Sequence, residues 1–105
     1  SLYFQLYNNR GNNYLKLNLY KDSLSDLKKA FNINNCDVKV IYRLSFVYYK
    51  LMIYDNSITM INYLYNLYND SKINIGENEL DLFKELENDV LSSIEADYRK
   101  DNIRK

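Results

Sequence analysis

The stretch Tyr14-Leu15-Lys16-Leu17-Asn18-Leu19-Tyr20-Lys21-Asp22-Ser23 returns, 34 residues later, as Tyr48-Tyr49-Lys50-Leu51-Met52-Ile53-Tyr54-Asp55-Asn56-Ser57. Tyr14/Tyr48, Lys16/Lys50, Leu17/Leu51, Tyr20/Tyr54 and Ser23/Ser57 are identical, and the register runs on through Leu27/Ile61, Ile33/Leu67 and Asn35/Asn69. A fixed period of about 34 marks a helix–turn–helix unit that stacks on copies of itself. Such stacks present concave surfaces that grip peptides, so the repeat points to a binding module rather than an enzyme.

Outward from the repeat, helix breakers are scarce: the 105 residues include two Gly and no Pro. The spacing of apolar residues predicts an all-α chain. A first helix is expected from about Tyr3 to Asn18, with Leu6, Tyr7, Tyr14 and Leu17 at helical spacing. Gly11 falls in its middle and Ser45 holds the same place one repeat later, which predicts close approach of a neighbouring helix. A second helix spans about Lys21 to Asn32 and turns Leu24, Leu27, Ala30 and Phe31 inward. Asp37 is placed to cap a third helix, about Val38 to Leu51, that buries Val40, Ile41, Leu44, Val47 and Tyr48. A fourth, about Ser57 to Asn69, carries Ile58, Ile61, Leu64, Tyr65 and Tyr68. After a polar loop, Asp70 to Gly76, a fifth helix starts at Glu77 and runs near to the end. Leu80, Phe83, Leu86, Val90, Leu91, Ile94 and Tyr98 form one stripe on it, read as a core seam. Glu77, Glu79 and Asp81 at its start, and Arg99, Lys100, Arg104 and Lys105 near its end, complement the helix dipole.

Composition narrows the function. The net charge is zero, but the first fifty residues carry eight basic and three acidic side chains, while residues 77–105 carry five and nine. The basic half suits an acidic partner. The 12 tyrosines interleave with lysines, as in single-strand RNA binders, but tyrosine at repeat positions is core and zero net charge argues against nucleic acid. No apolar run reaches the length of a membrane span. There is no His, so the usual general base and metal ligand is missing. Cys36 has no His beside it and reads as a structural thiol, which suits a reducing, cytoplasmic setting. The acidic run from Glu77 to Asp89 reads as a solvated helix face rather than a metal site. We expect no catalytic residue, no cofactor and no metal.

Over residues 4–70 the chain resembles tetratricopeptide repeats. Tyr7, Gly11 and Tyr14 in one unit, and Ile41, Ser45 and Tyr48 in the next, match the large, small and Tyr positions of the family pattern. Ser23 and Ala30 match its later small positions, as does Ser57, whereas Leu64 departs from the pattern. Asn35 and Asn69 stand where the family closes with Pro. The resemblance implies two repeats, about 4–37 and 38–70, followed over 71–105 by a loop and a long C-terminal capping helix.

A narrower likeness is to the carboxylate clamp of chaperone-binding repeats. Asn9 precedes Lys39 by 30 residues, and Lys39 precedes Arg43 by four, as in that pattern. The resemblance implies that Asn9, Lys39 and Arg43 hold the acidic Glu-Glu-Val-Asp tail of heat-shock protein 90 or 70. Residues 36–43 and 94–100 are similar to the tetratricopeptide repeat protein four type of co-chaperone, and immunophilin co-chaperones share the same features. The family clamp also uses a Lys and an Asn from a preceding repeat that this chain does not contain; the chain, which does not begin with Met, reads as part of a longer protein. An uncovered face around Leu6 and Tyr7 is then expected, with self-association through it. The alternative is a general repeat scaffold that binds another peptide or helix, with no chaperone role.

Overall fold

The 34-residue period is visible atom by atom. In the computed structural model, which describes residues 1–104 and the side chains of 1–102, α1 (Leu2–Lys16) and α2 (Tyr20–Ile33) form one hairpin. α3 (Val38–Lys50) and α4 (Tyr54–Asn69) form a second, and α5 (Glu77–Arg104) follows. Lys105 lies outside the described residues, as does the Arg104 side chain, so their expected part in the α5 dipole is not addressed. All regular structure among the described residues is helical.

Each hairpin turns in the same way because the same local groups solve the same problem twice. Asn18 and Met52 adopt left-handed backbone, at φ 61° and 60°. The Leu19 amide donates to the Tyr14 carbonyl at 2.9 Å, and the Ile53 amide to the Tyr48 carbonyl at 2.8 Å. This pattern satisfies the carbonyls that a helix end otherwise leaves without partners. Ser23 Oγ then donates to the Gly11 carbonyl, and Ser57 Oγ to the Ser45 carbonyl, both at 2.7 Å and both buried. The repeated serines therefore clamp the two helices of each hairpin together. α4 ends on the same turn, with Ser71 at φ 58°.

Asn tolerates the left-handed region through its short polar side chain, but a side chain such as Met costs about 1–2 kcal/mol there. Met52 is 72% exposed, so little packing offsets that cost. Met52→Gly is expected to raise unfolding free energy by about 0.5–1 kcal/mol after the extra chain entropy of Gly is counted, as read by urea denaturation.

Between hairpins, Asp37 caps α3 by accepting from the Val40 amide at 3.0 Å. Asn34 Oδ1 accepts from the Cys36 amide at 3.0 Å, so an Asn side chain shapes the turn for which the repeat pattern uses Pro. Tyr63 seals this turn by donating its hydroxyl to the Asn35 carbonyl at 3.0 Å and packing edge-on against Phe31.

α1, α3 and α5 lie side by side in one layer. α2 packs behind α1 and α3, and α4 behind α3 and α5. Two apolar clusters result. Leu27, Ala30, Val40, Leu44, Val47 and Tyr48 fill the space between α2 and α3. Ile41, Ile61, Leu64, Leu67, Phe83, Leu86 and Val90 fill that between α3, α4 and α5, and Phe31 and Met60 touch both clusters. Tyr65 ties α4 to α5 by donating to Glu87 at 3.3 Å; burial and the Glu87 charge push its pKa up to about 12.

Several expected core residues stand in water instead. Leu17 is the C-terminal cap of α1 and 67% exposed, since the helix ends at Lys16. Tyr68 is also exposed, whereas Leu6, exposed too, lies on the face expected to be uncovered. The seam on α5 is only half covered: Phe83, Leu86 and Val90 are buried, whereas Leu91, Ile94 and Tyr98 are exposed. The reason is length. α5 has 28 residues and runs antiparallel to an α4 of 16, so it overhangs the α3–α4 turn. At 1.5 Å per residue α5 is about 42 Å long, which accounts for most of the 52 Å long axis of the molecule.

The hairpins also differ in one polar feature. Arg10 Nε and Nη2 donate to the nearly buried Asp26 carboxylate at 2.6 and 2.9 Å, and this carboxylate raises the Arg10 pKa further. One period on, Leu44 and Met60 occupy those places.

Candidate functional site

The first turns of α3 and α5 enclose a cleft of about 260 Å³. Asp37 fixes where α3 begins, which sets Lys39 and Arg43 one turn apart on the side facing α5. Val38, Tyr42, Leu82 and Phe83 supply apolar walls, and Glu79 stands on the α5 side. Tyr42 meets Phe83 edge-on, with ring centroids 5.2 Å apart, so the floor of the cleft is fastened to the core.

Two of the three residues singled out from sequence, Lys39 and Arg43, therefore meet in one cleft. Lys39 is exposed and Arg43 half-buried. Asn9 is exposed on α1 and does not line the cleft. Its neighbour Asn8 makes the contact, accepting from Arg43 Nη1 at 2.6 Å. This bond joins the first hairpin to the second and aims the guanidinium. Burial lowers the Arg43 pKa, and the Asp37 charge works against that shift. The Arg43 guanidinium stays cationic at neutral pH all the same.

Sequence reasoning passed over Asn8 and Glu79. Period arithmetic pairs Arg43 with Asn9, but the side chain that reaches Arg43 is set by the rotation of α1 against α3. In the sequence Glu79 reads as a dipole partner at the start of α5 and as part of a solvated acidic face. It does reach back toward the Gly76 amide, at a long 3.5 Å, while also lining the cleft.

The arrangement can hold an anionic group against an apolar surface. It offers cationic donors above an apolar floor, and the nearest acid faces them across the cleft. Among the described residues there is no group of three or more His, Cys, Asp or Glu that could hold a metal, and no helix is long and apolar enough to cross a membrane. Cys36 is exposed in the inter-hairpin turn and is not among the residues lining this cleft. No protein-family model matches the chain, and neither does any curated protein sequence.

Proposed function

We propose that this chain is a tetratricopeptide-type repeat module of a cytoplasmic co-chaperone, which binds the acidic C-terminal tail of heat-shock protein 90 or 70. The observation that carries the reading is the placement of Lys39 and Arg43, one turn apart, above the apolar floor of a single cleft. A C-terminal Asp presents two carboxylates, and adjacent ammonium and guanidinium donors can engage both at once. An apolar residue upstream in the tail has Tyr42 and Leu82 to rest on. From the first hairpin Asn8, bonded to Arg43, orients the guanidinium, while Asn9 is exposed on α1 outside the cleft.

Calorimetric titration with a peptide ending in Glu-Glu-Val-Asp tests this. The Lys39→Ala, Arg43→Ala chain is expected to bind at least about tenfold more weakly, since charge-assisted hydrogen bonds of this kind contribute about 1.5–3 kcal/mol each before solvent screening. Glu79→Gln is expected to strengthen binding about two- to fivefold, because it removes a like charge facing the peptide while keeping the side chain's reach toward Gly76. Equal affinity in all three proteins would end the clamp reading.

A second reading, a scaffold for a different peptide or helix, is favoured by Glu79 itself and by the mainly apolar walls. It predicts that an amphipathic peptide with an apolar anchor and mixed charge competes better than the acidic tail, and that Glu79→Gln weakens its binding.

A further inference from the structure

Two of the arginines are handled in opposite ways. Arg10 donates through Nε and Nη2 to both oxygens of the nearly buried Asp26 carboxylate, at 2.6 and 2.9 Å. Its charge is balanced inside the first hairpin. Arg43 lines the cleft, half-buried, and donates through Nη1 to Asn8 Oδ1 at 2.6 Å. Asn8 offers a neutral amide, and among the described residues neither Arg43 nor Lys39 enters an ion pair.

A cation taken partly out of water is costly unless it is paired. Two acids stand by, and neither pairs with Arg43. Asp37 acts on the guanidinium through space, but its Oδ1 caps α3 by accepting from the Val40 amide. Glu79 lines the cleft from α5 and turns its Oε1 toward the Gly76 amide. A guanidinium has five N–H donors in a planar fork. Asn8 engages Nη1, whereas Nε and Nη2 have no protein acceptor among the described residues. That pair of nitrogens is the one Arg10 uses to hold a carboxylate.

We propose that Asn8 is a positioning residue for anion binding: its amide fixes the Arg43 guanidinium from the first hairpin without neutralising it, so that Nε and Nη2 take a carboxylate of the ligand. This rests on the peptide-binding reading and adds that the cleft needs both hairpins and a neutral residue at position 8. Asn8→Asp keeps the side chain's shape and its acceptor oxygen, and supplies the countercharge that Arg10 already has. It is therefore the substitution that separates holding the guanidinium from discharging it.

Calorimetry with the peptide ending in Glu-Glu-Val-Asp, and thermal melting of the same chains, test it. Asn8→Asp is expected to hold or raise the melting temperature, because an ion pair replaces a neutral bond. It is also expected to weaken the peptide at least about tenfold, because Arg43 is discharged and a like charge faces the ligand. Asn8→Ala loses the tether but keeps the cation, so it is expected to weaken the peptide only about two- to fourfold. A residue that merely joined the hairpins would move stability and affinity in the same direction. Asn8→Asp with unchanged affinity, or with no greater loss than Asn8→Ala, overturns the proposal.

A second probe separates this failure from that of the peptide reading. Inorganic sulfate is titrated against the Arg43 Nε–H resonance, which is identified by its loss in Arg43→Lys. The unaltered chain is expected to show a saturable shift, and Asn8→Asp none. If sulfate behaves so while the peptide does not bind, Asn8 keeps its role and the acidic tail is not the ligand. If sulfate shifts the resonance alike in both chains, or in neither, the proposal is overturned, and the peptide titration of the unaltered chain then decides the peptide reading by itself.

Discussion

Phe83→Ala is expected to lower unfolding free energy by about 3–5 kcal/mol, the usual cost of truncating a fully buried aromatic ring. Phe83 is 1% exposed and is the largest fully buried side chain among the described residues. It packs with Ile41, Ile61 and Leu64 and receives the Tyr42 ring edge-on. α5 is held to the second hairpin by three buried apolar side chains, Phe83, Leu86 and Val90. Removing the largest leaves a cavity where three helices meet. A domain of this size has about 5–15 kcal/mol in total, so the variant keeps a small margin at best.

The loss is expected to be uneven along the chain. Most of α5's surface is polar or faces water, and its helicity depends on the seam along α4. In Phe83→Ala, amide exchange in α5 is expected to proceed through openings of lower free energy than those of α2 and α3. Leu91→Ala, on the same helix but half-exposed, is expected to cost less than about 1 kcal/mol. If the two substitutions cost the same in urea denaturation, the assignment of the seam to the first half of α5 is wrong. Phe83→Ala also removes a wall of the Lys39–Arg43 cleft, so peptide affinity is compared in Phe83→Leu, which retains most of the apolar contact.

The hairpins were legible in the sequence because both units meet one backbone problem with similar residues. Tyr14 and Tyr48 accept the closing turn bond, and Ser23 and Ser57 reach the carbonyls of Gly11 and Ser45. Such local chemistry repeats whenever the chain does. What depends on the neighbour was not legible. The apolar spacing from Leu80 to Tyr98 names a face of α5, but only the length of α4 decides how much of that face has a partner. Leu17 sits at helical spacing, yet the helix stops one residue before it, because the left-handed turn falls at Asn18. The Arg43 bond went to Asn8 rather than Asn9, since one residue is 100° of helix rotation and a period carries no information about rotation between α1 and α3. Glu79 reached the cleft through the path of the 71–76 loop, which no periodicity describes. The Arg10–Asp26 pair replaced what the second hairpin builds from Leu44 and Met60, and the separation of the two residues in sequence hid it.

Gly11→Val is the second large effect, an expected loss of about 2–3 kcal/mol. A Cβ built at Gly11 lies 2.9 Å from both Cγ and Cδ2 of Leu27 and 3.4 Å from the Asp26 Cβ. Leu27 is completely buried, and its Cγ is the branch point of the side chain rather than a free end, so it cannot swing clear. Overpacking of this kind costs about 1–3 kcal/mol. Forcing α1 from α2 also strains the buried Ser23–Gly11 bond, which adds about 1 kcal/mol. Against this, leaving Gly behind in a helix interior returns at most about 1 kcal/mol, and less for a β-branched residue. The steric cost therefore exceeds the propensity gain, whereas for Gly11→Ala the two nearly balance. The second hairpin shows how a larger residue is accommodated: Ser45 holds the equivalent site, turns its Oγ to the Ile41 carbonyl at 2.8 Å, and faces a unit with Ile61 where the first has Leu27. Gly11→Ser alone is thus expected to destabilise, and Gly11→Ser with Leu27→Ile to recover most of that loss, because branching at Cβ moves bulk away from the crossing point. Denaturation of the Val, Ser and Ser/Ile chains checks the ordering; a neutral Gly11→Val would mean that the close approach of α1 and α2 at this residue is not what holds the first hairpin together.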